Sequence, residues 1–184
     1  MRSSCASCGD RLLHRERRGP SATYCSGRCR VRAYRARKRA RATKVAIPPC
    51  MRNRARWIRH DEEKRPLTNH GWYASVRRPS TWTTYARSRD SEVGVGMGYV
   101  LGEGIGCIDL DDVIDGRGRL AEWAARYIDR FRERAILVER SRSGRGVHIF
   151  LRMEEARGRR IREPGRKIEI YSWGRYIAVT GDRI

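Results

Sequence analysis

The sequence predicts an α+β fold, with a mainly antiparallel sheet, flanking helices and a small cysteine-rich module in front. Three observations support this fold class. Short apolar runs rich in β-branched and aromatic residues recur through the second half of the chain, as in strands. Residues 118–134 have apolar side chains at helical spacing. Four of the six cysteines fall within residues 1–44, and the 184 residues have room for one mid-sized domain and a small accessory one.

The composition changes twice along the chain and predicts three zones. Residues 1–44 hold the clustered cysteines and a dense arginine run, and are expected to form a basic zinc-binding module that ends in a basic helix. Residues 45–56 contain Pro48 and Pro49 and little pattern, which is typical of a linker. From residue 57 to 184 the composition is that of a globular domain.

Within residues 57–184 the elements are predicted in the following order. A short capped helix follows Pro79 and Ser80. Two strands, 98–102 and 105–110, are separated by Glu103 and Gly104 in a tight hairpin turn. An amphipathic helix covers 118–134. Four further strands are predicted at 135–140, 147–151, 167–171 and 175–179.

The charge balance predicts a polyanionic partner. The chain has 42 Lys plus Arg against 21 Asp plus Glu, a net charge of +21. Residues 1–44 alone carry 14 basic residues against two acids, which leaves +12. Arginine matches phosphate oxygens in a bidentate way, so nucleic acid is the expected partner. A merely soluble basic surface, or a genome that favours arginine codons, is the alternative explanation.

No apolar run approaches the ~20 residues of a membrane span, and the N-terminus has no apolar signal core. We therefore expect an intracellular, cytoplasmic protein. In that compartment cysteines serve as metal ligands or free thiols rather than as disulfides.

The cysteine spacing predicts a structural zinc site. Cys5 and Cys8 form a C-x2-C pair, and Cys25 and Cys29 form a C-x3-C pair sixteen residues later. Zn²⁺ takes four thiolates tetrahedrally, and its ligation can supply the folding free energy that so short and charged a segment lacks. Unrelated free thiols are the alternative. Cys107 lies in a predicted strand and is expected in the core.

Two aspartates on one strand form the candidate catalytic centre. Strand side chains alternate, so Asp109 and Asp111 point to one face while Ile108 and Leu110 point to the core. Adjacent carboxylates repel each other unless a cation lies between them, and Mg²⁺ prefers such oxygen ligands. A solvated strand end is the alternative interpretation. Asp112 is expected to face away or to lie in the following turn.

Two later segments add polar residues on predicted strand faces. The loop from Ser141 to Gly146 contains two glycines, and its amides with Ser143 and Arg145 could cradle phosphate. His148 follows on the polar face of the next strand, and Glu169 lies on that of another. Each alone is more often structural. Together with Asp109 and Asp111 they would make a two-metal phosphoryl-transfer site.

Two family resemblances extend this interpretation. The string YCSGRCRVRAYRARKR resembles short treble-clef-like zinc fingers over about the first 40 residues, which implies zinc and nucleic-acid contact. The ordered motifs CIDLDD, SRSGRGVHIF and KIEIY resemble the archaeo-eukaryotic primase superfamily, in its primase–polymerase branch of phages and plasmids, over about residues 57–184.

The second resemblance implies an RRM-like catalytic core, single-stranded DNA template and nucleoside triphosphates as substrates, and Mg²⁺ or Mn²⁺ beside the structural Zn²⁺. It implies that Asp109, Asp111 and Glu169 are metal ligands and that His148 holds the nucleotide phosphates. The implied nucleotide or template contacts are Lys64, Ser143, Arg145 and Arg175. A phage-encoded protein would act in the host cytoplasm. Because no G-x-x-x-x-G-K-[ST] sequence is present, a replicative helicase is expected in trans.

Two other functions stay open at this point. A non-enzymatic nucleic-acid-binding protein of replication or regulation would use the zinc module and the basic face, although carboxylates then repel phosphate. A metal-dependent nuclease would use the acids, but Glu169 is followed by Ile170 and Tyr171 and not by a lysine of an E-x-K pair. The sequence argues against a histidine-pair rolling-circle nickase, because none of the four histidines forms H-x-H.

Overall fold

The computed structural model describes residues 4–12, 23–33 and 47–184. The chain divides into two compact units, residues 1–45 and 46–184. In the first unit Ser4 bridges Arg11, and residues 27–33 form a helix, α1. Cys5, Leu12 and Cys29 form a small buried cluster with Tyr24 against it. The basic helix expected to run on toward residue 44 lies outside the described residues.

The second unit contains two antiparallel sheets. Its strands are β1 (Trp57–His60), β2 (Pro66–Leu67), β3 (Gly96–Val100), β4 (Ile105–Asp111), β5 (Ala135–Arg140), β6 (Val147–Arg152), β7 (Arg159–Glu163), β8 (Arg166–Tyr171) and β9 (Tyr176–Val179). One sheet has the order β2-β1-β3-β9 and the other the order β5-β6-β4-β8-β7. The predicted α+β class with antiparallel sheets is confirmed.

Three α-helices flank these sheets: α2 (Pro49–Arg52), α3 (Tyr85–Asp90) and α4 (Glu122–Phe131). Short 3-10 turns occupy Pro79–Thr81 and Arg132–Arg134. The helix α3 begins after Thr84, whose hydroxyl accepts a hydrogen bond from the Arg87 amide. No helix in the described ranges is long and apolar enough to cross a membrane.

The main core lies between α4 and the five-stranded sheet. Alternate residues of β4 and β6, among them Ile108, Leu110 and Ile149, pack against Ala124 and Ile128 of α4. The apolar spacing of residues 118–134 therefore identifies this helix. It begins later than expected because the carboxylate of Asp115 accepts hydrogen bonds from the amides at 117 and 119, which hold these residues in a turn.

Two local predictions differ from the structure. The segment interpreted as a linker contains α2, and Met51 within it is fully buried. The expected hairpin of residues 98–110 has its tight turn, since Gly102 bridges Ile105, but the strands diverge. Strand β3 enters the four-stranded sheet and β4 enters the other. The turn thus passes the chain from one sheet to the next.

Candidate active site

A row of polar side chains crosses the five-stranded sheet on the face opposite α4. Asp109 on the central strand β4 is paired with His148 on β6 and with Glu169 on β8. The register continues outward to Glu139 on β5 and to Arg160 on β7. Because paired residues in antiparallel strands share a face, the three strands bring together residues that lie 39 and 21 positions apart in sequence.

The imidazole of His148 is held between two carboxylates. Its Nδ1 lies 3.2 Å from Oε1 of Glu139, and its Nε2 lies 3.7 Å from Oδ1 of Asp109. Glu139 is 0% exposed and also accepts hydrogen bonds from the amides of Thr180 and Gly181, at 2.6–3.2 Å. An ionised carboxylate only accepts hydrogen bonds, so Nδ1 of His148 is the donor. The arrangement directs Nε2 toward Asp109.

Glu139 was not among the residues singled out from the sequence. It lies in the run AILVER, where a single acid near a strand end is unremarkable. The available signal was its register: a β5 residue on the same face as His148 joins the polar row. That signal requires the pairing of β5 with β6, which the sequence alone does not provide.

The Asp109 carboxylate is in an unfavourable electrostatic environment. Burial raises its pKa, and the neighbouring charges of Asp111 and Glu169 add to the rise, while His148 and Lys64 oppose it. An approaching cation would stabilise the ionised form of a carboxylate in this position. The geometry therefore fits a metal-binding role for Asp109.

Glu169 is engaged by groups of its own sheet. Its Oε1 accepts a hydrogen bond from Arg162 at 2.8 Å, and its Oε2 accepts one from the Tyr171 hydroxyl at 2.9 Å. In the described part of the chain, the three predicted acidic ligands do not form a group whose ligand atoms all lie within 4.8 Å of one another. Glu169 thus shares the face of Asp109 but lies turned toward β7.

A pocket of about 210 Å³ opens beside the two aspartates. Asp109, Asp111, His148, Ser143, Lys64 and Arg175 all line it, together with Ser141, Arg142 and residues 176–178 of β9. Six of the eight predicted site residues of this domain therefore meet in one cavity. Lys64 and Arg175 have no carboxylate within 4.0 Å among the residues the structure describes, so their charges face the pocket uncompensated.

Arg145 and Glu169 are the two predicted site residues that do not line the pocket. The guanidinium of Arg145 lies 3.0 Å from Asp112, which Lys167 also contacts at 3.0 Å. Asp112 occupies the turn after β4, with a φ of 55°, as the sequence suggested. The loop itself is tight: the amide of Gly146 donates to the Ser141 hydroxyl, and Gly144 has a φ of +77°.

The four cysteines of the first unit meet at one point. Their sulfur atoms lie within 4.8 Å of one another, and Cys25 is 3.5 Å from both Cys8 and Cys29. Four thiolates around Zn²⁺ at ~2.3 Å would lie about 3.8 Å apart, so the spacing fits such an ion. Burial would raise the pKa of the Cys5 thiol, but backbone hydrogen bonds from Cys25, Ser7 and Cys8 lower this pKa to about 6.

Comparison with known proteins agrees with this geometry. Residues 36–184 match the family model described as bifunctional DNA primase/polymerase, N-terminal. A DNA primase-polymerase of Nitratiruptor phage NrS-1 is 28% identical over 136 residues, which is 68% of this chain and 18% of that protein. The chain thus spans less than a fifth of the length of this relative. The residues that match the family model include all of β1–β9, the residues that line the pocket and the polar row. The chain therefore belongs to the bifunctional DNA primase/polymerase family and matches that family's N-terminal domain.

Proposed function

We propose that residues 57–184 catalyse template-directed addition of nucleotides to DNA, in the replication of a phage or plasmid. The observation that carries the proposal is the pocket in which Asp109 and Asp111 face Lys64 and Arg175. A nucleoside triphosphate needs cations for its phosphate oxygens and carboxylates for its metal ions. The phage source of the relative supports the replication context.

The cations of the pocket suit the triphosphate. Lys64 and Arg175 lack acidic partners in the described ranges, so phosphate oxygens would be their first strong partners. Ser143, within the glycine-containing loop, adds a hydrogen-bond donor to the pocket, and the ring of His148 also lines it. Arg145, occupied by Asp112, would contribute to loop position and not to substrate contact.

Asp109 and Asp111 would hold divalent metal ions, Mg²⁺ or Mn²⁺, with Glu169 as the third ligand. The fit rests on two half-buried carboxylates, Asp109 and Asp111, whose mutual repulsion a cation would relieve. Glu169 would exchange its contact with Arg162 for the metal. Two ions so held would supply positive charge to the α-phosphate and to the attacking 3′-hydroxyl.

The protein's own residues would position the reactants. The 3′-hydroxyl of the primer would lose its proton to solvent, its oxygen would bond to the α-phosphorus, and the bond from that phosphorus to pyrophosphate would break. Lys64, Arg175 and His148 would hold the triphosphate so that this displacement is in line. Glu139 would keep the His148 ring in place through Nδ1. In the first unit, Cys5, Cys8, Cys25 and Cys29 would hold one structural Zn²⁺.

The test is incubation with primed and unprimed single-stranded DNA, nucleotides and Mn²⁺. Products longer than the primer support nucleotide addition, whereas shorter fragments would indicate a nuclease. The absence of both would favour a binding protein.

Asp109→Ala and Asp111→Ala should each abolish extension. Asp112→Ala is the matched control, because this neighbouring acid lies outside the pocket and should leave extension largely intact. A fully active Asp109→Ala/Asp111→Ala double variant would contradict the metal site. The helicase partner stays a prediction.

A further inference from the structure

The turn between β8 and β9 exposes a tryptophan from a firmly held backbone. Ser172 is buried, and its hydroxyl both accepts from the Ala156 amide at 2.8 Å and donates to the Ala156 carbonyl at 3.3 Å. At the other end, the Arg175 carbonyl accepts a hydrogen bond from the Leu101 amide at 2.8 Å. Between these anchors, Trp173 is 47% exposed. The turn that carries the exposed indole is therefore anchored at both ends.

Two arginines accompany this indole. The guanidinium carbon of Arg77 lies 5.9 Å from the centre of the Trp173 ring, and that of Arg175 lies 4.2 Å from the centre of the Tyr171 ring. Within the described residues neither arginine has a carboxylate within 4.0 Å. Arg175 also lines the pocket, and two residues of chain place the Trp173 Cα within about 7 Å of the Arg175 Cα.

We infer that Trp173 is a stacking platform for an unpaired base of the single-stranded DNA that enters the pocket, with Arg77 holding an adjacent phosphate. The inference rests on the proposed function, because it assigns a partner to the same site. Proteins that bind single strands combine exposed aromatic rings for the bases with cations for the backbone. The exposed ring of Trp173, with the uncompensated guanidinium of Arg77 beside it, has both features.

The charge and size of this surface favour DNA over a protein partner. A stable protein interface needs roughly 800 Å² of surface from each partner, centred on a larger apolar patch than one indole supplies. The unit formed by residues 46–184 is itself basic, since 28 of the 42 basic residues but 19 of the 21 acids leave it a net charge of +9. Phosphate is therefore the chemical group whose charge complements this basic surface.

The experiment measures binding of fluorescein-labelled oligo(dT) to the full chain by anisotropy at fixed salt. Trp173→Ala should weaken binding about tenfold, within the range for loss of one base–aromatic stack, and Trp173→Phe should recover most of it. Trp72→Ala is the matched control. This tryptophan is 76% exposed but follows β2, at the opposite edge of the sheet from β9, and its loss should change affinity by less than twofold.

The salt dependence separates stacking from charge. Trp173→Ala should leave the slope of log affinity against log salt unchanged, whereas Arg77→Ala should reduce it by about 0.7, the value for one single-strand phosphate. Equal losses for Trp173→Ala and Trp72→Ala, or wild-type affinity of Trp173→Ala at an unchanged melting temperature, would overturn the inference. Primer extension by the wild-type chain is scored separately. A chain that binds through Trp173 but does not extend refutes the proposed function and keeps the platform.

Discussion

At the scale of single residues, a carboxylate outside the pocket contacts one of the side chains that line it. Glu139 has three hydrogen-bond donors around it: the Thr180 amide, which both carboxylate oxygens share, the Gly181 amide and Nδ1 of His148. Glu139→Gln keeps the size of the side chain but replaces one oxygen by an NH₂ group, which cannot accept the Nδ1 proton or a backbone N–H. The variant therefore has to break one of these hydrogen bonds or change the tautomer of the ring.

We expect Glu139→Gln to raise the KM for nucleotide about 10- to 100-fold, with a smaller change in kcat, because the His148 ring, which we propose to hold the nucleotide phosphates, would no longer be oriented. The ¹⁵N chemical shift of His148 Nδ1 should change as well, which a purely structural role of Glu139 would not require. His148→Ala should show the same KM effect, and adding Glu139→Gln to it should change little further. If the two substitutions raised KM additively, Glu139 and His148 would act independently, which would contradict this account.

The buried charge of Asp109 has a consequence for stability. Burial, Asp111 and Glu169 raise its pKa in the folded protein, so the ionised form opposes folding. The stabilising effect of the protonated form is complete below the unfolded pKa and is lost as pH rises through the higher folded pKa. At neutral pH without metal, Asp109→Asn should thus raise the melting temperature, and at a pH below both pKa values the difference should shrink. A lower melting temperature for Asp109→Asn at neutral pH would contradict this account.

At the scale of elements, the strands that contain several apolar residues could be predicted from the sequence. Strands composed mostly of charged residues could not. The strands β4, β6 and β8 each carry a polar side chain between apolar neighbours, so Asp109, His148 and Glu169 could be placed on the face opposite those neighbours. The edge strand β7 reads RRIRE, with one apolar residue, and resembles a charged loop. The division into two sheets depends on long-range pairing of β3 with β9, which no local pattern encodes.

The loop between β5 and β6 offers a test at this scale. A Cβ on Gly146 would lie 2.8 Å from the Leu110 carbonyl oxygen and 2.9 Å from the Ser141 hydroxyl, so β4 would have to move. Gly146→Ala should reduce the free energy of unfolding by about 1–3 kcal/mol, measured by urea denaturation. Gly116→Ala meets no atom within 4 Å and should change it by less than about 0.5 kcal/mol. Equal effects would show that the close packing at Gly146 is relieved at no cost.

The cysteine cluster makes a second prediction for an element. Metal analysis of the purified chain should find about one zinc per molecule, because four thiolates complete the tetrahedral site. Cys25→Ser should lose that zinc, since Cys25 contacts both Cys8 and Cys29. Cys50→Ser, outside the cluster, should retain it. Zinc-free protein with all thiols open to titration would refute the site.

At the scale of the whole molecule, charge is unevenly divided. Residues 1–44 carry +12 of the net +21. Nucleic-acid affinity should fall steeply with salt, because arginines displace counterions from phosphate. A chain that begins at residue 45 should show a shallower slope of log affinity against log salt. An unchanged slope would mean that the basic excess of the first unit lies away from the bound strand.

The opposite faces of β4 and β6 also have a practical consequence for anyone who wishes to evolve this domain. The side chains of Ile108, Leu110 and Ile149 point toward α4, and those of Asp109 and His148 point into the pocket, so one sheet backbone separates them. A directed-evolution library confined to the α4-facing positions can therefore sample repacked interiors for heat tolerance, and surviving clones should retain turnover. A library of substitutions at the pocket-facing positions would vary substrate preference while the residues packed against α4 stay the same.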